Sequence, residues 1–247
     1  MEPAKTGTVS NARQRVREAV RADIVTEARR QLAETGAGAL SLRAVARELG
    51  MASSAMYRYF KSRDELLTAL IVEAYDAIGD AVEAAEAECA RNDFAGRWRA
   101  CCHGVRAWAL EQPHEYALIY GSPVPGYRAP DNTNLPASRV TQALVAVIRE
   151  AAAAGAIHAP FVPDRTPVLS KAAETEATHV ERRGLFGVPH DVIVRVVVAW
   201  TQLFGTVSFE LFGRFVDVVD DLDAMFDQGV AEMTAFIGIE APPTSPA

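Results

Sequence analysis

Residues 41–67 read SLRAVARELGMASSAMYRYFKSRDELL. Leu42, Val45, Ala46 and Leu49 fall on one face of a helix, with Arg43, Arg47 and Glu48 on the other. Gly50 stands where the end of that helix needs a residue tolerant of a left-handed backbone. Ser53 is expected to cap a second helix, with Met56 and Tyr59 or Phe60 turned inward. Ala46 is small where the two helices must cross closely. Two short helices around a tight glycine turn make a helix-turn-helix. Ser62-Arg63-Asp64-Glu65 then has the pattern of a capping box, so a third helix starts at once.

Working outward, Tyr57, Arg58, Tyr59, Phe60 and Lys61 resemble the DNA-binding domain of TetR-family transcriptional regulators. There the recognition helix ends in Tyr-x-(His/Tyr)-Phe, followed by a basic residue and a capped helix. The likeness extends back through Ile24, Ala28, Leu32 and Gly36. The rival reading is an αα-corner of some other helical protein. The resemblance implies that the second helix enters the major groove at its N-terminal part, around Ser53. Ala52, Ser54, Ala55 and Arg58 are then the outward candidates for base edges, Arg58 being able to fork onto guanine. Tyr57, Tyr59 and Lys61 resemble phosphate-contacting positions, and Arg43 could meet phosphate or base. Met56 and Phe60 are read as core. No operator sequence follows from so few long polar side chains.

The charge distribution agrees with this division. The whole chain carries −7, a poor balance for a nucleic-acid binder. Residues 1–63, however, hold 12 Lys and Arg against 6 Asp and Glu, and the remainder 13 against 26. A basic head joined to an acidic body suits a small DNA-reading domain. At 247 residues, 49% hydrophobic and 23% charged, the composition is that of a globular protein with a sizeable core. Three cysteines give no disulfide framework and point to a reducing cytoplasm, and no stretch reads as a signal peptide.

Residues 1–13 lack periodicity and are expected to form a mobile arm, and 241–247 a disordered tail. Val16, Val20, Ile24, Ala28 and Leu32 recur every fourth residue, predicting a helix from about Gln14 to Thr35. The arginines at its start admit two readings, phosphate contact or a solvated face. With that helix the head is expected to span 14–61, and a helical body 62–240. A long helix from Ser62 to about Arg91 would run about 45 Å and could carry a push from the body to the head. Helices are further expected over 94–112, 114–120 and 134–154, with a weak polar one over 168–183. The Pro- and Gly-rich GSPVPGYRAPDNTNLP must be a turn-laden loop.

The segment from Glu111 to Tyr127 looks like the WHG-type C-terminal domain of one TetR subgroup. Trp200, Leu203, Phe204 and Gly205 stand where that group continues, with Phe where it often has His. The likeness covers roughly 94–237. It implies a ligand cavity near Trp98, Trp108, Tyr116, Tyr120, Tyr127, Trp200 and Phe204, suited to a lipophilic or aromatic effector; ordinary core aromatics are the alternative.

Residues 188–213 are the most apolar stretch. Its length and spacing favour a buried helix over a strand, and Asp191, Arg195, Gln202 and Glu210 make a membrane span costly. With a final helix over 221–239 it would build a four-helix interface between two copies, as in TetR relatives. Val196, Leu203, Val207, Leu211, Met225, Val230 and Met233 are the residues assigned there; packing inside one subunit is the alternative.

Catalytic motifs are missing: there is no HExxH, GxSxG, CxxC or phosphate loop. Cys101-Cys102-His103 is the sole cluster suggestive of a thiol or metal sensor, yet adjacent helical residues point about 100° apart. His158, His179 and His190 show no partners in the sequence. The expectation is an all-α, homodimeric, cytoplasmic DNA-binding regulator without enzyme activity, metal or cofactor, most simply a repressor of a palindromic operator released by a small effector. A thiol- or metal-responsive regulator, and a helical carrier that does not bind DNA, are the alternatives.

Overall fold

A computed structural model describes residues 6–158 and 169–240, with side chains from Ala12 onward. Among these residues the secondary structure is helical: α1 (Thr6–Thr35), α2 (Leu42–Glu48), α3 (Ser53–Met56), α4 (Arg63–Ala87), α5 (Phe94–Glu111), α6 (Pro113–Tyr120), α7 (Asn134–Ala153), α8 (Lys171–Glu181), α9 (His190–Leu211) and α10 (Leu222–Ile237). Short 3₁₀ turns lie at Ala37–Ala39 and Asp131–Thr133. The expected disordered tail and residues 1–5 of the expected arm lie outside the described residues. α1 begins at Thr6, earlier than periodicity predicts.

Two compact units divide the chain. The first holds residues up to Tyr75 together with His114–Asn134; the second holds Asp76–Pro113 and Leu135 onward. α4 contributes to both, so the boundary expected near residue 61 falls inside the first unit.

The first unit is built on Ile24, Ala28, Val45, Met56, Phe60, Leu66 and Leu67, all buried. Burying a side chain such as Phe60 is worth about 1.5–3 kcal/mol. Gly50 has φ +62 between α2 and α3, the left-handed conformation expected of it. The Arg63 guanidinium donates to Leu40 O (3.1 Å) and Ala37 O (2.6 Å), closing the turn that leads into α2. α6 and the following loop pack on this core through Leu118, Ile119, Val124 and Tyr127. Glu115 pairs with Arg29, Tyr75 Oη donates to Ile119 O (3.3 Å), and Thr68 Oγ1 and Tyr127 Oη lie 2.9 Å apart.

In the second unit α5 is the central helix. It buries Trp98, Cys101, Cys102, Val105, Trp108 and Ala109. Gly104 lets it approach α4, since a Cβ there would stand 3.1 Å from the Val82 Cα. α9 packs on α5, α8 and α10. Buried charges are paired, as they must be in a low-dielectric interior. Arg97 donates to Glu86 (2.5 Å), Glu150 (2.7 Å) and Arg91 O (3.0 Å). Burial opposes ionisation of Glu86, but hydrogen bonds from Arg91 and Arg97 outweigh it and hold the carboxyl below its usual range. Arg106 forks onto both oxygens of Glu210 (2.8 and 2.7 Å) and reaches Asp223 (2.7 Å). Arg139 gathers Asp76 (3.3 Å), Asp80 (2.6 Å) and Glu83 (2.7 Å) along α4.

α9 is long and apolar enough to cross a membrane by length and composition. Its three charged side chains nonetheless have partners within the unit: Arg195 binds Asp191 of the same helix and Phe236 O, and Glu210 binds Arg106. These are the contacts of a helix packed in protein.

Candidate nucleic-acid interface

α2 and α3 present the sequence-predicted set outward. Arg43, Ala52, Ser53, Ser54, Tyr57, Arg58 and Lys61 are exposed, Ala55 and Tyr59 half-buried, and Met56 and Phe60 fully buried. Buried anchors at 56 and 60, one helical turn apart, fix which face is left for a partner. One local expectation is corrected: the N-cap of α3 is Ala52 in extended conformation, and Ser53 is the first helical residue. No side chain caps that end, so its backbone N–H groups and the Ser53 and Ser54 hydroxyls face outward together. At α4, Glu65 N donates to Ser62 Oγ (3.1 Å), as a capping box requires. The return bond is displaced by one residue, from Lys61 N to Glu65 Oε2 (2.7 Å).

The end of the α3 segment is held by two residues outside the predicted set. Arg17 donates to Arg58 O (3.4 Å) and Arg21 to Tyr59 O (3.2 Å). The Arg21 guanidinium also lies 4.1 Å from the centre of the Phe60 ring. The signal was present in the sequence as arginines spaced by four before Ile24, but their target 38 to 41 residues away was not.

The seven aromatics implied as ligand-lining divide between the units. Tyr116, Tyr120 and Tyr127 belong to the first, and Trp98, Trp108, Trp200 and Phe204 to the second. Tyr116 is buried, with its ring 5.1 Å from that of Tyr120, and burial raises the Tyr120 phenol above its ordinary range. Trp98 and Trp108 are buried, Phe204 is half-buried, and Trp200 is exposed with its ring 5.6 Å from Phe204. Trp98 Nε1 is buried without a hydrogen-bond partner among the described residues.

Of the residues assigned to a dimer interface, Val196, Leu203, Val207, Val230 and Met233 lie in the protomer's own core. Leu211 is half-buried and Met225 exposed. The outer faces of the same helices carry Val197, Val198, Trp200, Phe209, Phe212 and Phe236, all exposed.

No group of three metal-ligating side chains occurs among the described residues. Cys101 and Cys102 are buried; burial pushes the Cys101 thiol up to about 12 and the Cys102 thiol well above its ordinary value. Such thiols are poor nucleophiles and poor metal ligands. His103 sits 3.3 Å from Asp227 and edge-on to Phe226. His158, His179 and His190, partnerless in the sequence, do have carboxylate neighbours: Glu240, Glu176 and Glu181 respectively.

A buried two-helix corner presenting an uncapped helix start, hydroxyls and exposed cations, carried on a chain whose remaining residues form a helical body, defines a helix-turn-helix DNA-binding regulator. Comparison with known proteins agrees. Residues 24–70 match bacterial regulatory proteins of the tetR family, and residues 98–233 match the tetracyclin repressor-like C-terminal domain. The HTH-type transcriptional regulators Rv1816 of Mycobacterium tuberculosis and Mb1846 of Mycobacterium bovis are each 40% identical over 219 residues, 87% of this chain and 91% of theirs. The crystal structure of regulatory protein SCO4313 superposes with a TM-score of 0.71 at 37% identity, covering 89% of this chain and 97% of that one. The chain belongs to the TetR family of transcriptional regulators.

Proposed function

We propose that the protein works as a homodimer that represses a promoter by occupying a palindromic operator, and leaves it when a small lipophilic or aromatic effector enters the 94–213 body. The observation that carries this is the exposed apolar face of α9 and α10, where Val198, Trp200, Phe209, Phe212 and Met225 are 39–53% exposed. An apolar face of this size is unfavourable in water and favours a covering surface. A second copy related by a two-fold axis covers it with the same face and sets two recognition helices for two half-sites. This puts the dimer contact on the outer side of α9, with Leu203 and Val207 supporting it from within.

The effector reading is supported by Trp98. An unpaired buried donor costs about 1–3 kcal/mol. An aromatic or lipophilic molecule carrying one acceptor oxygen would recover that cost. It lowers DNA affinity only if it binds the non-operator state more tightly. α4, shared by both units, is the covalent route for that coupling. A regulator of this kind acts in the cytoplasm, where the genome is.

The test is fluorescence anisotropy against a labelled duplex from upstream of the protein's own gene, with unrelated DNA as competitor, beside light scattering of the free protein. Competitor-resistant binding by a dimer that a lipophilic compound reverses is the expected result. A stable monomer, or binding that unrelated DNA removes completely, would refute it.

A further inference from the structure

The described side chains in the first half of α1 are open to solvent. Residues 12–19 are all exposed, and Val16 is 64% exposed. Arg13, Arg17 and Arg21 recur every fourth residue and continue the stripe of Ile24, Ala28 and Leu32, which faces the core. The face that binds protein in the second half of the helix therefore becomes a basic ridge in the first. Arg13, Gln14, Arg17, Glu18 and Arg21 line one shallow depression, with no other described element contributing. The ridge is not aimed at random: Arg17 and Arg21 end on the carbonyls of Arg58 and Tyr59, at the end of the recognition segment.

We infer that this ridge is a phosphate clamp for the duplex backbone outside the major-groove half-site, extending the footprint beyond the residues of α2 and α3. The inference rests on the DNA-binding reading of the helix-turn-helix. Residues 13–21 hold four arginines and one acid, Glu18, whose carboxylate accepts from Gln14 Nε2 (3.0 Å). From Arg13 to Arg21 the ridge runs about 12 Å, long enough to follow successive phosphates. A guanidinium has five N–H donors in a fixed fork. Arg17 and Arg21 each spend one on a backbone carbonyl, which orients the group and leaves donors for phosphate oxygens. Holding them in place beforehand reduces the ordering cost of binding. Base edges are not the target, because the ridge lies beside the recognition segment and not on its exposed face.

The test uses the full-length protein and the duplex that it protects from nuclease upstream of its own gene. Anisotropy is measured on that duplex trimmed to the half-sites and on versions extended outward by six base pairs, between about 50 and 200 mM salt. Arg13→Glu and Arg13→Ala/Arg17→Ala are compared with wild type; Arg21 is left alone because of its contact with Phe60. On the extended duplex, the double variant is expected to lower the salt slope by about 1 per arginine lost in each head. Arg13→Glu, which leaves the Arg17 contact with Arg58 O in place, should bind the trimmed duplex almost as wild type does, with an unchanged preference among base substitutions. Arg13→Glu, at an exposed position, should weaken extended-duplex binding at least tenfold with an unchanged melting temperature. Equal slopes and affinities for wild type and both variants on the extended duplex would overturn the clamp while leaving the regulator intact. A wild type that shows no selectivity for its upstream DNA would remove the reading beneath it, and the clamp with it.

Discussion

Glu210→Gln is the perturbation whose consequence the structure defines best. Arg106 and Glu210 are each about nine-tenths buried, and both guanidinium–carboxylate bonds are shorter than 2.9 Å. Neutralising Glu210 leaves the Arg106 charge in place. Its remaining partners are Asp223, 85% exposed, and the face of Phe226 at 4.9 Å. Breaking a buried pair on one side costs about 3–5 kcal/mol. Because Asp223 remains, the lower end applies, about 3 kcal/mol. For a protein of this size that lowers the melting temperature by about 6–12 °C. Scanning calorimetry of wild type, Glu210→Leu, Arg106→Met and Arg106→Met/Glu210→Leu completes a cycle, with Glu210→Gln measured beside it. The double variant should recover most of the loss, because two apolar side chains replace two buried charges. A loss below about 1 kcal/mol in Glu210→Gln, or a double variant no better than the worse single, would refute the view that burial makes this pair costly to break.

Arg58→Ala should cost about 1–3 kcal/mol of operator affinity and relax the preference at one base pair, read by anisotropy on single-substitution duplexes. Val198→Glu/Trp200→Glu places charges on the exposed face of α9 and should shift the protein to monomer in light scattering, with helix content by circular dichroism unchanged. Ellman's reagent at pH 8 should titrate Cys89 first, while Cys101, raised to about 12, and Cys102 stay protonated and unreactive until the protein is unfolded. The lowered Glu86 contributes stability that is complete above its unfolded value of about 4.3 and fades as pH falls through its folded value. Glu86→Gln should therefore flatten the acid limb of thermal stability below about pH 4.5.

The helices were legible because their signals are local. Gly50, the capping pattern at Ser62 and the apolar periodicities mark ends and faces within a few residues, and α2 to α7 begin and end close to where those signals put them. Gly50, the buried pair Met56 and Phe60, and the outward arginines likewise make the helix-turn-helix readable from one short window. What was not legible depends on distant partners. In α9, Val196, Leu203 and Val207 form as good an apolar stripe as Val197, Trp200 and Phe204; only the positions of α5, α8 and α10 decide which stripe is inside. The pairing of Arg106 with Glu210 spans 104 residues, and nothing near either residue names the other. The implied ligand-lining aromatics were grouped by residue type, whereas their grouping in space follows chain return: α6 folds with the N-terminal core, α5 with the body.

That return of α6 and the 121–134 loop to the N-terminal core bears on how such regulators can be recombined. A chimera that exchanges reading heads by cutting between α3 and α4 would carry away Arg29 and leave Glu115 behind. It would also set Leu118, Ile119, Val124 and Tyr127 of one parent against a core whose α1 to α3 come from another. The portable module is discontinuous, residues up to 75 plus 114–134, and a working graft needs two splices instead of one.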